Sequence, residues 1–251
     1  SGAADTILQQ LDGFGFEWDG EILRQSQRDY YYAQALNDLQ KQQLIYPCTC
    51  TRKEVADSSN IVGIDGFVYP KTCLNHAIKT DAAFTLRVRV DATEIKFQDA
   101  IQGKIAQNLQ NDVGDFVLKR ADGLFTYQLA VVVDDAEQGV THVVRGADLL
   151  NSTPRQIYLQ QRLNLLTPNY AHIPIARNAA GEKLSKQTLA KPIDTKLASL
   201  QIWQALQFLG QQPPNDLQSA CLKEIWQWAI NNWQLRMIPA QHSTFKQHTS
   251  I

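Results

Sequence analysis

The sequence predicts an α/β protein, and three stretches carry that prediction. The run Tyr127-Gln128-Leu129-Ala130-Val131-Val132-Val133-Asp134-Asp135 is the most hydrophobic in the chain and rich in β-branched residues, so it reads as a buried parallel strand. Residues 140–144 read as a second strand. Thr153-Pro154 then opens an amphipathic helix, since a threonine followed by proline suits the first helical turn. In such sheets ligands gather beyond the carboxyl ends of the strands, which places Asp134, Asp135 and the segment after Val144 beside a cleft.

The remaining elements follow in order. Residues 3–11 show helical spacing with Asp5 near the start and Gly13 just past the end. Residues 28–43 carry an apolar helical stripe through Tyr31, Ala35 and Leu39 with Tyr32 and Leu36 alongside. Residues 84–90 alternate as a half-buried strand, with Leu86, Val88 and Val90 opposite Arg87 and Arg89. Those two arginines suit either a phosphate backbone or simple solvation. Residues 97–103 and 116–120 are further short strands, and Asp122-Gly123 is a turn. Towards the C-terminus, 197–209 and 217–233 are helical, and Trp226, Trp228 and Trp233 serve packing.

Composition excludes several classes. A chain of 251 residues with net charge −1 is a globular protein of one large or two smaller domains, not a histone-like basic binder. Its longest apolar runs are too short for a bilayer, and no basic segment precedes a hydrophobic one at the start, so the expected address is cytoplasmic without membrane contact. Of the four cysteines, Cys48, Cys50 and Cys73 lie close together and Cys221 stands apart, which is not a secreted disulfide framework.

Cys48 and Cys50 are one residue apart in extended structure, so both thiolates point the same way; with Cys73 they favour a structural zinc site. Tyr69 and His76 flank Cys73, and the sequence alone leaves the fourth ligand open between them. Arg145, beside Gly146 at a strand end, suits either a carboxylate or internal pairing with Asp148. Between two regular stretches lies the loop Ala179-Ala180-Gly181-Glu182-Lys183-Leu184-Ser185-Lys186-Gln187, in which two ammonium groups and a hydroxyl suit a polyphosphate and the glycine lets the backbone swing.

Taken together, Gln25-Ser26-Gln27-Arg28, the Cys48-Thr49-Cys50 segment, Val144-Arg145-Gly146-Ala147-Asp148, Thr153-Pro154-Arg155-Gln156 and Lys183-Leu184-Ser185-Lys186-Gln187 resemble the glutamyl-tRNA synthetase family of class I aminoacyl-tRNA synthetases. The chain looks closest to the shortened branch that glutamylates queuosine in tRNA(Asp): the loop reads Lys-Leu-Ser-Lys-Gln, the cysteine site is compact, and too few residues follow for an anticodon-binding domain. The resemblance implies a Rossmann-type parallel sheet with a zinc-bearing insertion and a C-terminal helical subdomain. Its divisions are 1–45 for the remainder of the first Rossmann half, 46–115 for the insertion, 116–182 for the second half, and 183–251 for the phosphate loop and helices.

It implies further that Lys186 is catalytic, that Lys183, Ser185 and Lys186 bind ATP with Mg2+, and that Tyr127 and Arg145 bind L-glutamate. Zinc falls to Cys48, Cys50, Tyr69 and Cys73, and the RNA partner is tRNA(Asp) carrying queuosine, bound by a monomer. Family members begin with a strand and a loop whose histidine and glycines grip ATP. Ser1-Gly2-Ala3-Ala4-Asp5 matches the point just beyond, so that strand and signature loop are expected to be missing from this sequence, as from an incomplete record of a longer protein. Two rival readings are a fragment of an ordinary glutamyl-tRNA synthetase and a non-catalytic zinc-containing RNA-binding module.

Overall fold

A computed structural model describes residues 2–74, 83–178, 180–184 and 190–240. Helix α1 (Ala3–Gly13) opens the chain, and α2 (Asp29–Lys41) follows a helical turn at Gln25–Gln27. The apolar stripe of α2 buries Tyr32, Ala35, Leu36 and Leu39; Tyr31 lies outside it, under the Arg28 guanidinium. Strand β1 (Ile45–Cys48) leads into α3 (Arg52–Ser58), whose capping box pairs Thr51 with Glu54. A small hairpin, β2 (Val62–Gly63) and β3 (Gly66–Phe67), precedes β4 (Thr85–Val88). Next come the hairpin β5 (Glu94–Asp99) and β6 (Gly103–Asn108), one helical turn α4 (Leu109–Asp112), and β7 (Phe116–Lys119).

Strands β1, β4 and β7 form an antiparallel sheet in that order. Val88 and Val90 point into the core as expected, and Arg89 is exposed. Arg87 departs from the expected solvent face. Its guanidinium lies 4.0 Å from the Tyr69 ring centroid and donates to the Asp115 carbonyl at 2.8 Å. The Asp122-Gly123 turn is present, closed by the Arg120 amide on the Leu124 carbonyl at 2.8 Å.

The main correction concerns the apolar run. Residues expected to form a buried strand are instead helix α5 (Tyr127–Glu137), which packs on α2 and on α6 (Thr153–Arg162). A helix covered on two sides needs apolar residues around most of its girth, so Leu129, Ala130 and Val132 are all buried and the 3.6-residue period disappears. The consequence for Asp134 is large. It borders no cleft: Arg28 Nε and Tyr32 Oη hold its Oδ1 at 2.7 and 3.0 Å inside the α2–α5 interface. Burial and that carboxylate push the Tyr32 phenol up to about 12.

The parallel sheet is built from other strands. Strand β8 (His142–Gly146) pairs parallel with β9 (Asn169–Ile173), β9 meets β5 in parallel, and β6 closes the order β6-β5-β9-β8 antiparallel. Helix α6 starts at Thr153-Pro154 as its sequence signal indicates. Among the described residues β8 is an edge strand, and its Val144 is 66% exposed, whereas Leu129 and Val132 are covered. Among the described residues the exposed apolar face is thus on β8 rather than on the 129–133 run.

Helices α7 (Ala198–Phe208) and α8 (Leu222–Asn232) make a second core of Ala198, Ile202, Trp203, Leu206, Ile225 and Ala229, joined by Phe14 from beyond α1. The Trp226 indole donates to the Phe14 carbonyl at 2.8 Å. The expected 217–233 helix is shorter than its pattern, because a turn at Asn215–Ser219 precedes α8 and Cys221 with Glu224 caps it. Trp226 and Trp228 pack as expected, while Trp233 is largely exposed. No helix among the described residues is long and apolar enough to cross a membrane.

Candidate active site and cysteine cluster

Two constellations gather the residues singled out from the sequence. The first lies at the carboxyl ends of β8 and β9. Arg145, near the end of β8, reaches Tyr127 at the start of α5: Nη1 donates to the phenolic oxygen at 3.1 Å. Nη2 donates to Thr153 Oγ1 at 2.9 Å and Gln156 Oε1 at 2.7 Å on the first turn of α6. Nε donates to His172 Nε2, on β9, at 3.1 Å. Gln156 is oriented in turn, since its Nε2 donates to Gln128 Oε1 at 3.0 Å.

A guanidinium carries five N–H groups. Four are used by His172, Thr153, Gln156 and Tyr127, which leaves one N–H on Nη1 together with the Tyr127 hydroxyl hydrogen. A bound carboxylate therefore meets Arg145 and Tyr127 as a mixed pair of donors; the two-pronged edge of the guanidinium is already occupied by protein. The first turns of α5 and α6 both supply side chains to Arg145, through Tyr127, Thr153 and Gln156. Burial raises the Asp135 carboxyl above its ordinary range, with the charge of Arg145 opposing.

Asp148 does not pair with Arg145. Its carboxylate accepts from the Lys183 ammonium, which ties the segment after β8 to the lysine loop. Gly146 makes room for this: a Cβ there would stand 2.5 Å from Asp148 Oδ1. The stem of the loop is a small hairpin, with the Leu184 amide on the Ala176 carbonyl at 2.9 Å and the Asn178 amide on the Glu182 carbonyl at 2.8 Å. Gly181 turns it at φ +80°, a value that suits glycine. Ser185 and Lys186 lie outside the described residues, as does His76.

The second constellation joins β1 to the segment before β4. The Sγ atoms of Cys48, Cys50 and Cys73 all lie within 4.8 Å of one another, with Cys50 to Cys73 at 3.3 Å. The Tyr69 hydroxyl completes a four-donor set, 3.3 Å from Cys48 Sγ and 3.7 Å from Cys50 Sγ. Tetrahedral zinc with bonds of about 2.3 Å sets sulfurs about 3.8 Å apart, so this donor set fits the ion. Desolvation pushes the Cys50 thiol up to about 11. Burial also opposes ionisation of Cys73, yet hydrogen bonds led by the Tyr69 hydroxyl bring it down to about 6. A cation at the centre would let the remaining thiols ionise.

Comparison with known proteins decides the family. The model of the class I tRNA synthetase (E and Q) catalytic domain matches residues 1–209. A glutamyl-Q tRNA(Asp) synthetase of Dechloromonas aromatica is 54% identical over 241 residues, covering 96% of this chain and 80% of the relative. That of Chromobacterium violaceum is 53% identical over 239 residues, covering 95% and 79%. This chain belongs to the glutamyl-Q tRNA(Asp) synthetases, within the class I (E and Q) family. A glutamate tRNA ligase from Elizabethkingia meningosepticum superimposes with a TM-score of 0.73 at 21% identity, over 96% of this chain and 56% of that one, and so shares the class I synthetase fold.

The sequence reading missed Asp99, His172 and Gln128. None stands in a spacing that signals chemistry. His172 sits in a strand next to a proline-containing segment, and only the parallel pairing of β8 with β9 sets it beside Arg145.

Proposed function

We propose that this protein activates glutamate with ATP and transfers the glutamyl group to queuosine in tRNA(Asp). In the first step the glutamate α-carboxylate attacks the α-phosphate of ATP, forming glutamyl-adenylate and releasing pyrophosphate. In the second a hydroxyl of the queuosine cyclopentenediol attacks the acyl carbon and releases AMP. The single observation that carries this reading is the Arg145 cradle at the carboxyl end of β8, a fixed cation with a phenol beside it. It supports glutamate recognition through a side-chain carboxylate held by Arg145 and Tyr127.

ATP binding falls to Lys183, Ser185 and Lys186, and Mg2+ accompanying the nucleotide would offset phosphate charge. Lys186 is the catalytic residue, its ammonium meeting charge as it accumulates on the phosphates. The described stem of the loop is held to Asp148 through Lys183, in the segment that follows Arg145, and this supports the phosphate-loop reading. Cys48, Cys50, Cys73 and Tyr69 would hold zinc as four protein donors, and the ion would supply local folding energy rather than activate a water.

Glutamate-dependent ATP–pyrophosphate exchange by the full-length protein tests the reading. Exchange with glutamate, and little with glutamine, is expected. No exchange with any amino acid would leave a zinc-containing RNA-binding module in its place.

A further inference from the structure

Arg145 is held from behind by two fully buried residues that play no part in the chemistry above. Asp99, at the end of β5, accepts at Oδ1 from the backbone amides of Ile101 (3.0 Å), Gln102 (2.8 Å) and His172 (3.2 Å). Its Oδ2 stands 2.6 Å from His172 Nδ1. His172 Nε2 then faces Arg145 Nε at 3.1 Å and Thr153 Oγ1 at 3.1 Å. An arginine nitrogen can only donate, so Nε2 must be the bare acceptor and Nδ1 must carry the hydrogen. That is the tautomer a carboxylate at Nδ1 selects. Burial opposes the Asp99 charge, but the His172 ring and the three amides outweigh it and hold the carboxyl below its ordinary range.

We infer that Asp99 and His172 are positioning residues, a relay that fixes the imidazole tautomer so that Arg145 presents its one spare N–H, beside the Tyr127 hydroxyl, to the glutamate side chain. The inference rests on the glutamate-pocket reading of Arg145. Without the acceptor at Nε2 the guanidinium loses one of its anchors, and its Nε and Nη2 edge can turn away from Thr153 and Gln156.

Asp99→Asn isolates the relay. The three amides at Oδ1 force the asparagine oxygen to stay where it is, so its NH2 replaces Oδ2 and donates to Nδ1. His172 must then carry its hydrogen on Nε2, donor against donor with Arg145. In glutamate-dependent exchange the KM for glutamate should rise by about 10- to 100-fold, the cost seen when a metal-bound histidine loses its outer-shell partner, with the KM for ATP little changed. Adding His172→Gln, whose Oε1 supplies an acceptor whatever the tautomer, should recover much of that loss. A merely structural Asp99 would lower thermal stability without this rescue.

Nitrogen-15 spectra of the histidine-labelled wild-type protein decide the tautomer even if the variants fail to fold. Nδ1–H with bare Nε2 is expected, and Nε2–H or an imidazolium would overturn the relay. Arg145→Lys separates the two levels. If it leaves the glutamate KM unchanged, the pocket reading fails and the relay falls with it. If it raises that KM while Asp99→Asn does not, the relay alone is overturned.

Discussion

Arg28 Nε stands 2.7 Å from Asp134 Oδ1, and both side chains are more than nine-tenths buried. This pair fastens α2 to α5 with help from Tyr32 and Gln25, whose side chains also reach Asp134, and from Glu137, which takes the other side of the guanidinium. A buried charge pair is costly to break from one side, since the partner is left buried and uncompensated. Asp134→Ala should therefore lower stability by about 3–5 kcal/mol, measured by thermal or denaturant unfolding. A loss below about 1 kcal/mol would mean that water or Glu137 compensates Arg28.

The cysteine cluster leads to a metal prediction. Protein purified without chelator should hold one zinc per chain by elemental analysis, and Cys50→Ser should release it. Tyr69→Phe should weaken retention, because it removes a hydroxyl that reaches both Cys48 and Cys50. Strong chelators should lower the unfolding temperature of the wild type far more than that of Cys50→Ser. Zinc-free protein would refute the site, and full retention by Tyr69→Phe would move the fourth position elsewhere.

For Arg145 the expected cost falls on glutamate rather than on ATP. Arg145→Ala removes one partner of a charge pair and should weaken glutamate use by about 2–5 kcal/mol, read as kcat/KM in the exchange assay. Tyr127→Phe should cost less, since it removes one neutral hydrogen-bond donor of the pair. Unchanged glutamate kinetics in Arg145→Ala would return this arginine to the scaffold that Thr153, Gln156 and His172 already describe.

Lys186 should act late in the reaction. Lys186→Ala is expected to slow adenylate formation by about a hundred- to a thousand-fold, the cost of losing one such electrostatic donor, while raising the KM for ATP much less. Lys183→Ala should cost less, because Lys183 is engaged with Asp148. Pre-steady-state adenylate formation separates these outcomes. Equal losses in ATP binding and in rate would make the loop a static clamp.

What the sequence showed and what it hid differ for physical reasons. Local signals held wherever the decisive chemistry was local: the Thr153-Pro154 helix start, the Asp122-Gly123 turn and the gathering of Cys48 with Cys50. They failed at 127–135, where burial against two helices erased the polar face that distinguishes a helix from a strand. They also failed for Asp148, whose partner Lys183 comes from 35 positions along the chain. Asp99 and His172 lie 73 positions apart and meet only through the pairing of β5 with β9. Thr153 and Gln156 stand in a motif, whereas Asp99 and His172 are legible only in the sheet register.

The acceptor is the deciding question, and a single acylation experiment addresses it. Radiolabelled glutamate and ATP are supplied to the full-length protein with tRNA(Asp) containing queuosine, the same tRNA lacking queuosine, and tRNA(Glu). Stable glutamate incorporation only into the queuosine-containing tRNA(Asp), abolished when periodate has first cleaved the cyclopentenediol, is the expected result. Incorporation into tRNA(Glu) at its terminal adenosine, or into tRNA(Asp) regardless of queuosine, would contradict it.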